Sequence, residues 1–150
     1  MVAVSKLLGK RTMSITVMLE FENIDIKHWH FRDDVQTGLG ILEEYGVPYD
    51  LQLRPDMLVH IPTLAIKFPK LKMVIDHIAN PYHYAKSDED VEKWKDDMAQ
   101  IAKHENVYVK LSGMINSHKY WSVDVFKPCV EHLLNCFGSK RYSYYMRIKL

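Results

Sequence analysis

Lys72-Met73-Val74-Ile75-Asp76-His77 and Asn106-Val107-Tyr108-Val109-Lys110-Leu111-Ser112-Gly113 are the two stretches that decide how this chain is read. Each is a short run of apolar and β-branched residues that ends abruptly in charged or polar groups, the pattern of a buried strand entering a loop. Between them, Ser87-Asp88-Glu89-Asp90 supplies an acidic first turn, and Val91, Trp94, Met98, Ile101 and Ala102 follow at helical spacing. Strand, amphipathic helix and strand in that order predict a parallel βαβ unit.

The same alternation extends outward. Upstream, Asp33 or Asp34 caps a helix running through Val35, Leu39, Ile41 and Leu42, with Gly46 as its stop. Pro48 to Leu53 reads as a strand, and Pro55 opens a helix carrying Leu58, Ile61, Leu64, Ala65 and Phe68. Pro62 inside that helix is tolerable only near its first turns. Ile15-Thr16-Val17-Met18-Leu19 is an earlier strand candidate. Downstream, Val123 to Phe137 predicts a helix stopped by Gly138, and Tyr142 to Met146 a last strand. Successive strands from Tyr49 through Ile75, Tyr108 and Tyr142 lie about 26, 33 and 34 residues apart, near the roughly 31 per unit of an eight-unit barrel. An open flavodoxin-like sheet uses similar units, so spacing leaves both architectures open. No glycine-rich phosphate loop follows any strand, which argues against nucleotide binding.

Composition narrows the function classes. The chain has 150 residues, 47% hydrophobic and 26% charged, a globular balance. Twenty basic residues against 19 acidic ones leave a net charge of +1, with no bulk reason for a nucleic-acid or anionic-membrane partner. No apolar run approaches a membrane span. Cys129 and Cys136 do not make a disulfide scaffold; they read as buried thiols on one helix face in a reducing compartment. A cytoplasmic location is the default, and the basic, acid-free N-terminus keeps a mitochondrial presequence as a minor alternative.

In a parallel α/β fold, chemistry sits at the carboxyl ends of the strands. That rule selects Asp50, Arg54, Asp76, His77, Lys110, Ser112 and Gly113, with Tyr49 just inside its strand. An imidazole at a strand end can coordinate a metal, hydrogen-bond a carbonyl or move a proton near neutral pH. Asp76 and His77 are adjacent, so strand alternation lets only one of them face a lumen or crevice. On the residues alone, a loop-capping aspartate beside an incidental histidine is the simpler reading. Likewise Lys110 could hold an anion and Ser112 and Gly113 could serve an oxyanion, against the plainer reading of a solvated lysine before a turn. His28-Trp29-His30 has metal-ligand spacing, but it precedes a helix rather than closing an apolar strand. It reads as surface or helix-entry histidines.

The order of Arg32-Asp33-Asp34-Val35-Gln36-Thr37-Gly38-Leu39, Tyr49-Asp50-Leu51, Phe68 to Pro81, Trp94, Asn106 to Met114 and Phe137-Gly138 with Arg141 resembles the amidohydrolase-related family of barrel hydrolases, which includes sugar lactonases and a pyrone-dicarboxylate lactonase. The likeness runs from about Phe21 to Arg141, leaving 1–20 and 142–150 as divergent ends. It implies an α/β fold, a partial (β/α)8 TIM barrel of about four to five βα units with parallel strands. It implies hydrolysis of a small lactone or amide carbonyl by activated water, with or without a divalent metal such as zinc or manganese. His77 matches the family's strand-end histidine that contacts a metal or the substrate carbonyl. Tyr49 matches a pocket-lining tyrosine, and Lys110 and Ser112 match the strand-end segment beside the site as substrate-binding positions.

The departures are equally specific. The family's opening histidine-x-histidine strand has no counterpart at the right place, so no metal role passes to His28 or His30. Tyr142-Ser143-Tyr144-Tyr145-Met146 stands where the family carries glycine-serine-aspartate-tryptophan-proline and its catalytic aspartate. The chain therefore reads as the later half of a barrel with altered ends, as a truncated or spliced product would give. The expectation is a family hydrolase with little or no turnover in this form. The alternative is a non-catalytic half-barrel that binds a ligand or self-associates through exposed strand edges.

Overall fold

A computed structural model describes residues 15–16, 29–114 and 122–144. Five parallel strands, β1 (Ile15–Thr16), β2 (Tyr49–Leu51), β3 (Met73–Ile75), β4 (Val107–Leu111) and β5 (Tyr142–Tyr144), form one sheet in the order β1-β2-β3-β4-β5. Sequential order distinguishes this sheet from the flavodoxin-like order, in which the second strand lies outside the first. Right-handed crossovers between strands in sequential order place their helices on one side of the sheet, as in a barrel wall.

The helices are α1 (Asp33–Glu44), α2 (Ile61–Lys67), α3 (Pro81–Tyr84), α4 (Asp88–Ile101) and α5 (Val123–Phe137). Their ends follow the expected chemistry except at the start of α1, where Arg32 takes the cap position without a side-chain cap bond and Asp33 and Asp34 fall inside the first turn, complementing the helix dipole instead. Gly46 takes φ 63° after α1 and Gly138 takes φ 65° after α5, backbone angles that suit glycine. Ser87 and Asp90 form a reciprocal capping box on α4, and the Ser122 hydroxyl accepts the Val125 N–H at the start of α5. The helix expected from Pro55 is split. Residues Pro55–His60 make a 3-10 helix, and α2 starts only at Ile61. The break puts Pro62 in the first turn of α2, where its missing N–H breaks no helical bond. Trp29–Phe31 likewise form a short 3-10 helix leading into α1, so His30 is a helix-entry residue. It is buried rather than on the surface, with its ring 4.3 Å from that of His60. Most of the segment 1–20, Trp121, His28 and the residues beyond Tyr144 lie outside the described residues.

Register separates the two sheet faces. Tyr49, Met73 and Val107 are level, as are Leu51, Ile75 and Val109, and all six are buried. They pack with Leu58, Ile61, Leu64, Trp94, Met98, Ile101 and Leu133 into one apolar layer. Each fully buried aliphatic side chain of this layer stabilises the fold by about 1.5–3 kcal/mol. Cys129 belongs to it and Cys136 lies at its edge, both as free thiols. Strand alternation puts Asp50, Val74, Tyr108 and Lys110 on the opposite face. That face is half-exposed at Val74, Tyr108 and Lys110, and it corresponds to the lumen side of a barrel wall. No helix among the described residues is long and apolar enough to cross a membrane.

Candidate functional site

The carboxyl ends of β2, β3 and β4 bring three charges together. The Lys110 ammonium donates to Asp50 Oδ2 at 2.5 Å and forms an ion pair with Asp76 Oδ1 at 2.7 Å. Register explains the meeting. Ile75 is level with Val109, so the next residue, Asp76, stands beside Lys110, while Asp50 lies on the same face of the next strand. Both carboxylates are buried, and the lysine stem crosses the half-exposed face to reach them. Burial by itself pulls the Lys110 ammonium down. The hydrogen bonds to Asp50 and Asp76 and their charges outweigh it and hold the group above its ordinary value. Lys110 is therefore a fixed cation at neutral pH, not a nucleophilic amine, and the trio carries a formal charge of −1.

Just beyond this trio, His77 Nδ1 lies 2.8 Å from Ser112 Oγ. His77 does not continue the strand. It begins a run of four residues in the left-handed region: His77 (φ 54°), Ile78 (φ 51°), Ala79 (φ 57°) and Asn80 (φ 47°). None is glycine, and left-handed backbone costs about 1–2 kcal/mol for each ordinary residue. The turn takes His77 out of strand alternation, so Asp76 can face Lys110 while His77 reaches Ser112. Gly113 completes the seat. A Cβ on it would fall 2.6 Å from His77 Cγ and 2.7 Å from His77 Nδ1, and Gly113 itself has φ 71°. A glycine is required here both for the close approach and for the backbone angle.

Of the residues selected from the sequence, His77 and Ser112 thus meet, and Lys110 is held close by in the chain through Asp50 and Asp76. Tyr49 does not join them. It lies in the apolar layer on the face opposite Lys110, and burial pushes its phenol well above the usual range. Asp50 and Asp76 were legible as strand-end residues but not as partners of one lysine. The structural importance of Gly113 was signalled only by its place after Ser112. Trp94, selected as a core residue, also donates its indole N–H to Ile78 O at 2.9 Å and so touches the turn that carries His77.

A concavity of about 400 Å³ lies outside the sheet, between the 3-10 helix at Pro55, α3 and α4. Its cations Arg54, Lys86 and Lys93 are matched by Asp56, Asp90 and Asp97, and Arg54–Asp56 and Lys93–Asp97 are direct ion pairs at 2.7 and 2.5 Å. It presents no unbalanced charge to a ligand.

The fit of a divalent metal can be judged from the donors. Among the described residues, no group of three or more His, Cys, Asp or Glu side chains could hold one. The two carboxylates nearest His77 in the chain and the sheet already hold the Lys110 ammonium. The described residues do not by themselves make a metal site; His77, with Nδ1 engaged by Ser112, could offer at most one ligand atom, Nε2.

A family model for amidohydrolases matches residues 18–144. Among curated proteins, the chain is similar to an L-fucono-1,5-lactonase of Burkholderia ambifaria, with 29% identity over 108 residues, covering 71% of this chain and 36% of that protein. Among solved structures it is similar to an amidohydrolase of Burkholderia multivorans crystallised with bound zinc, at TM-score 0.80 and 19% identity, covering 93% of this chain and 50% of that one. It is also similar to a probable 2-pyrone-4,6-dicarboxylic acid hydrolase of Acinetobacter baumannii with citric acid bound, at TM-score 0.62 and 18% identity, covering 77% and 42%. The solved structures share its fold. The matched region spans about a third of the curated relatives' length, 35% and 36%, and about half that of the solved chain with zinc.

Proposed function

The chain belongs to the amidohydrolase family, and from that premise we propose that residues 21–141 form part of a barrel hydrolase site for a small lactone or amide carbonyl compound. The observation that carries this reading is that the His77–Ser112 pair and the Lys110–Asp50–Asp76 trio stand side by side in the chain at neighbouring strand ends. The likeness to a lactonase and to a pyrone-dicarboxylic acid hydrolase favours a cyclic ester among the carbonyl substrates.

The roles follow from the contacts. The pairing of His77 with Ser112 holds the ring and leaves Nε2 as the nitrogen that meets a ligand. If the Ser112 hydroxyl donates to Nδ1, Nε2 carries a proton and polarises a carbonyl oxygen. If Nδ1 donates to Ser112, Nε2 carries a lone pair that accepts a proton from water. Lys110 sets the local field and neutralises part of the charge of Asp50 and Asp76. That same pairing engages a carboxylate oxygen of each aspartate on the ammonium, so neither carboxylate is committed to an attacking water. We therefore propose that this chain hydrolyses lactones slowly or not at all, and that binding survives where turnover does not.

A lactone panel that includes a sugar 1,5-lactone and a pyrone dicarboxylate, assayed with and without zinc or manganese, tests the proposal. The expected result is saturable binding, lost on His77→Ala, with turnover close to background. Robust hydrolysis abolished by His77→Ala would overturn the claim of low activity. Absence of binding by every lactone and amide tried would overturn the substrate class.

A further inference from the structure

We propose that Trp94 is a positioning residue for His77: its indole N–H latches the left-handed turn at 77–80 and thereby fixes the imidazole against Ser112 and Gly113. Trp94 sits on α4, in the apolar layer on the side of the sheet away from Lys110, and so acts at a distance. Its importance to the site comes from which acceptor its N–H has chosen. A buried indole N–H needs a partner, and many carbonyls of the helix layer would serve. This one bonds Ile78 O, in the middle of the strained run.

The sequence of the turn opposes its own conformation. Asn80 tolerates a left-handed backbone, but the β-branched Ile78 is among the residues least suited to it. Such a conformation persists only where the surroundings over-determine it. The restraints are few and nameable. Asn80 N–H closes the turn on His77 O at 2.8 Å, Ile78 and Ala79 are fully buried, and the Trp94 bond anchors the middle carbonyl. The Gly113 backbone then lies flush against the imidazole that the turn delivers. Releasing the middle carbonyl lets residues 77–79 relax toward ordinary backbone angles, which swings the His77 ring out of its seat.

The consequence for ligand binding rests on the proposed role of His77, but the positioning itself is read without any ligand. The test is NMR on the full chain with 15N-labelled histidine, comparing the native protein, Trp94→Phe, Ala79→Gly, the double variant, and Ser112→Ala as the reference for an unseated ring. Trp94→Phe keeps an aromatic ring in the core and removes only the donor. The expected result is that the His77 ring-nitrogen shifts move to the Ser112→Ala positions, while the other histidines of the chain stay in place, except His132, whose ring lies 6.1 Å from that of Trp94 and responds to the substitution directly. Backbone Cα and Cβ shifts of 77–80 should leave the left-handed pattern. Adding Ala79→Gly should restore both, because glycine takes a positive φ freely. A merely structural tryptophan would lower the melting temperature without a selective change at His77 and without rescue at position 79. A folded Trp94→Phe protein with native His77 shifts overturns the proposal; so does failure of Ala79→Gly to rescue, and so does a double variant that cannot fold. Titrating the same samples with a lactone separates the two readings: displaced His77 shifts with unaltered lactone binding would leave the latch standing and remove His77 from the binding role.

Discussion

Replacing Lys110 with methionine would test the charge cluster directly, because methionine keeps the stem and removes the ammonium. Asp50 and Asp76 side chains are 3% and 9% exposed, and Lys110 is 22% exposed. Removing one partner from a buried ion pair costs about 3–5 kcal/mol, because the other charge stays buried and unpaired. Here two carboxylates are stranded together, but the partly open lysine position admits water. We expect the lower end of that range, about 3 kcal/mol at pH 7, a large part of a typical total of about 5–15 kcal/mol. The pH dependence fixes the cause. The ammonium is the group whose titration the structure perturbs. In the native protein the Lys110 ammonium is held above its ordinary value. Its contribution is complete below the unfolded lysine range near 10.5 and disappears as pH rises through the folded value. Urea unfolding followed by tryptophan fluorescence at pH 7 and at rising pH above 10.5 would show the native and variant curves converging at the alkaline end. Asp50→Asn and Asp76→Asn added to Lys110→Met should recover most of the loss. A difference below about 1 kcal/mol at pH 7, unchanged at alkaline pH, would place the trio among ordinary surface pairs and refute the reasoning.

Two further substitutions probe the frame that holds the strand ends in place. Asn106, just before β4, donates its side-chain N–H groups to Ala65 O, Phe68 O and Leu71 O at 3.2, 2.9 and 3.2 Å, closing the carboxyl end of α2. Asn106→Ala should lower stability by about 1–3 kcal/mol and Asn106→Asp by at least as much, since the acid brings no donors; thermal unfolding within error of the native protein would refute this. Arg141 bonds Phe137 O, His104 O and Ala102 O at 3.2, 2.9 and 2.8 Å and so joins the ends of α4 and α5. Arg141→Lys keeps the charge but loses the planar fork, and should cost about 2 kcal/mol in urea unfolding; a loss under about 0.5 kcal/mol would reduce Arg141 to a surface charge.

The strand and helix order could be read from the chain because its signals are local. Met73-Val74-Ile75 and Val107 to Leu111 are strands wherever they are buried, and Gly46 and Gly138 stop helices by their own backbone freedom. Pro62 even marked where its helix had to begin, although not that a 3-10 helix would precede it. Sequential strand order was not local, since the spacing between units is shared by barrels and open sheets; pairing decided it. The turn at His77 was hidden for a different reason. Only Asn80 suits a left-handed backbone; nothing in His77-Ile78-Ala79 asks for one, and the forces that impose it come from Trp94 and from burial, far along the chain.

Which side chains form the rim depends on a single-residue choice of register. Tyr49 and Asp50 are neighbours, and both are polar enough to be placed in a site by their chemistry. Pairing of Tyr49 with Met73, and of Met73 with Val107, sends the tyrosine into the apolar layer and turns Asp50 to the other face. Had the register slipped by one, Asp50 would be buried among Leu58, Ile61 and Trp94, where a carboxylate has no cation to meet and would cost several kcal/mol. The phenol tolerates the apolar side because it need not ionise, whereas the carboxylate is tolerable only where Lys110 can reach it. The Lys110–Asp50 contact is therefore part of what selects the strand register, as well as part of the site that register creates.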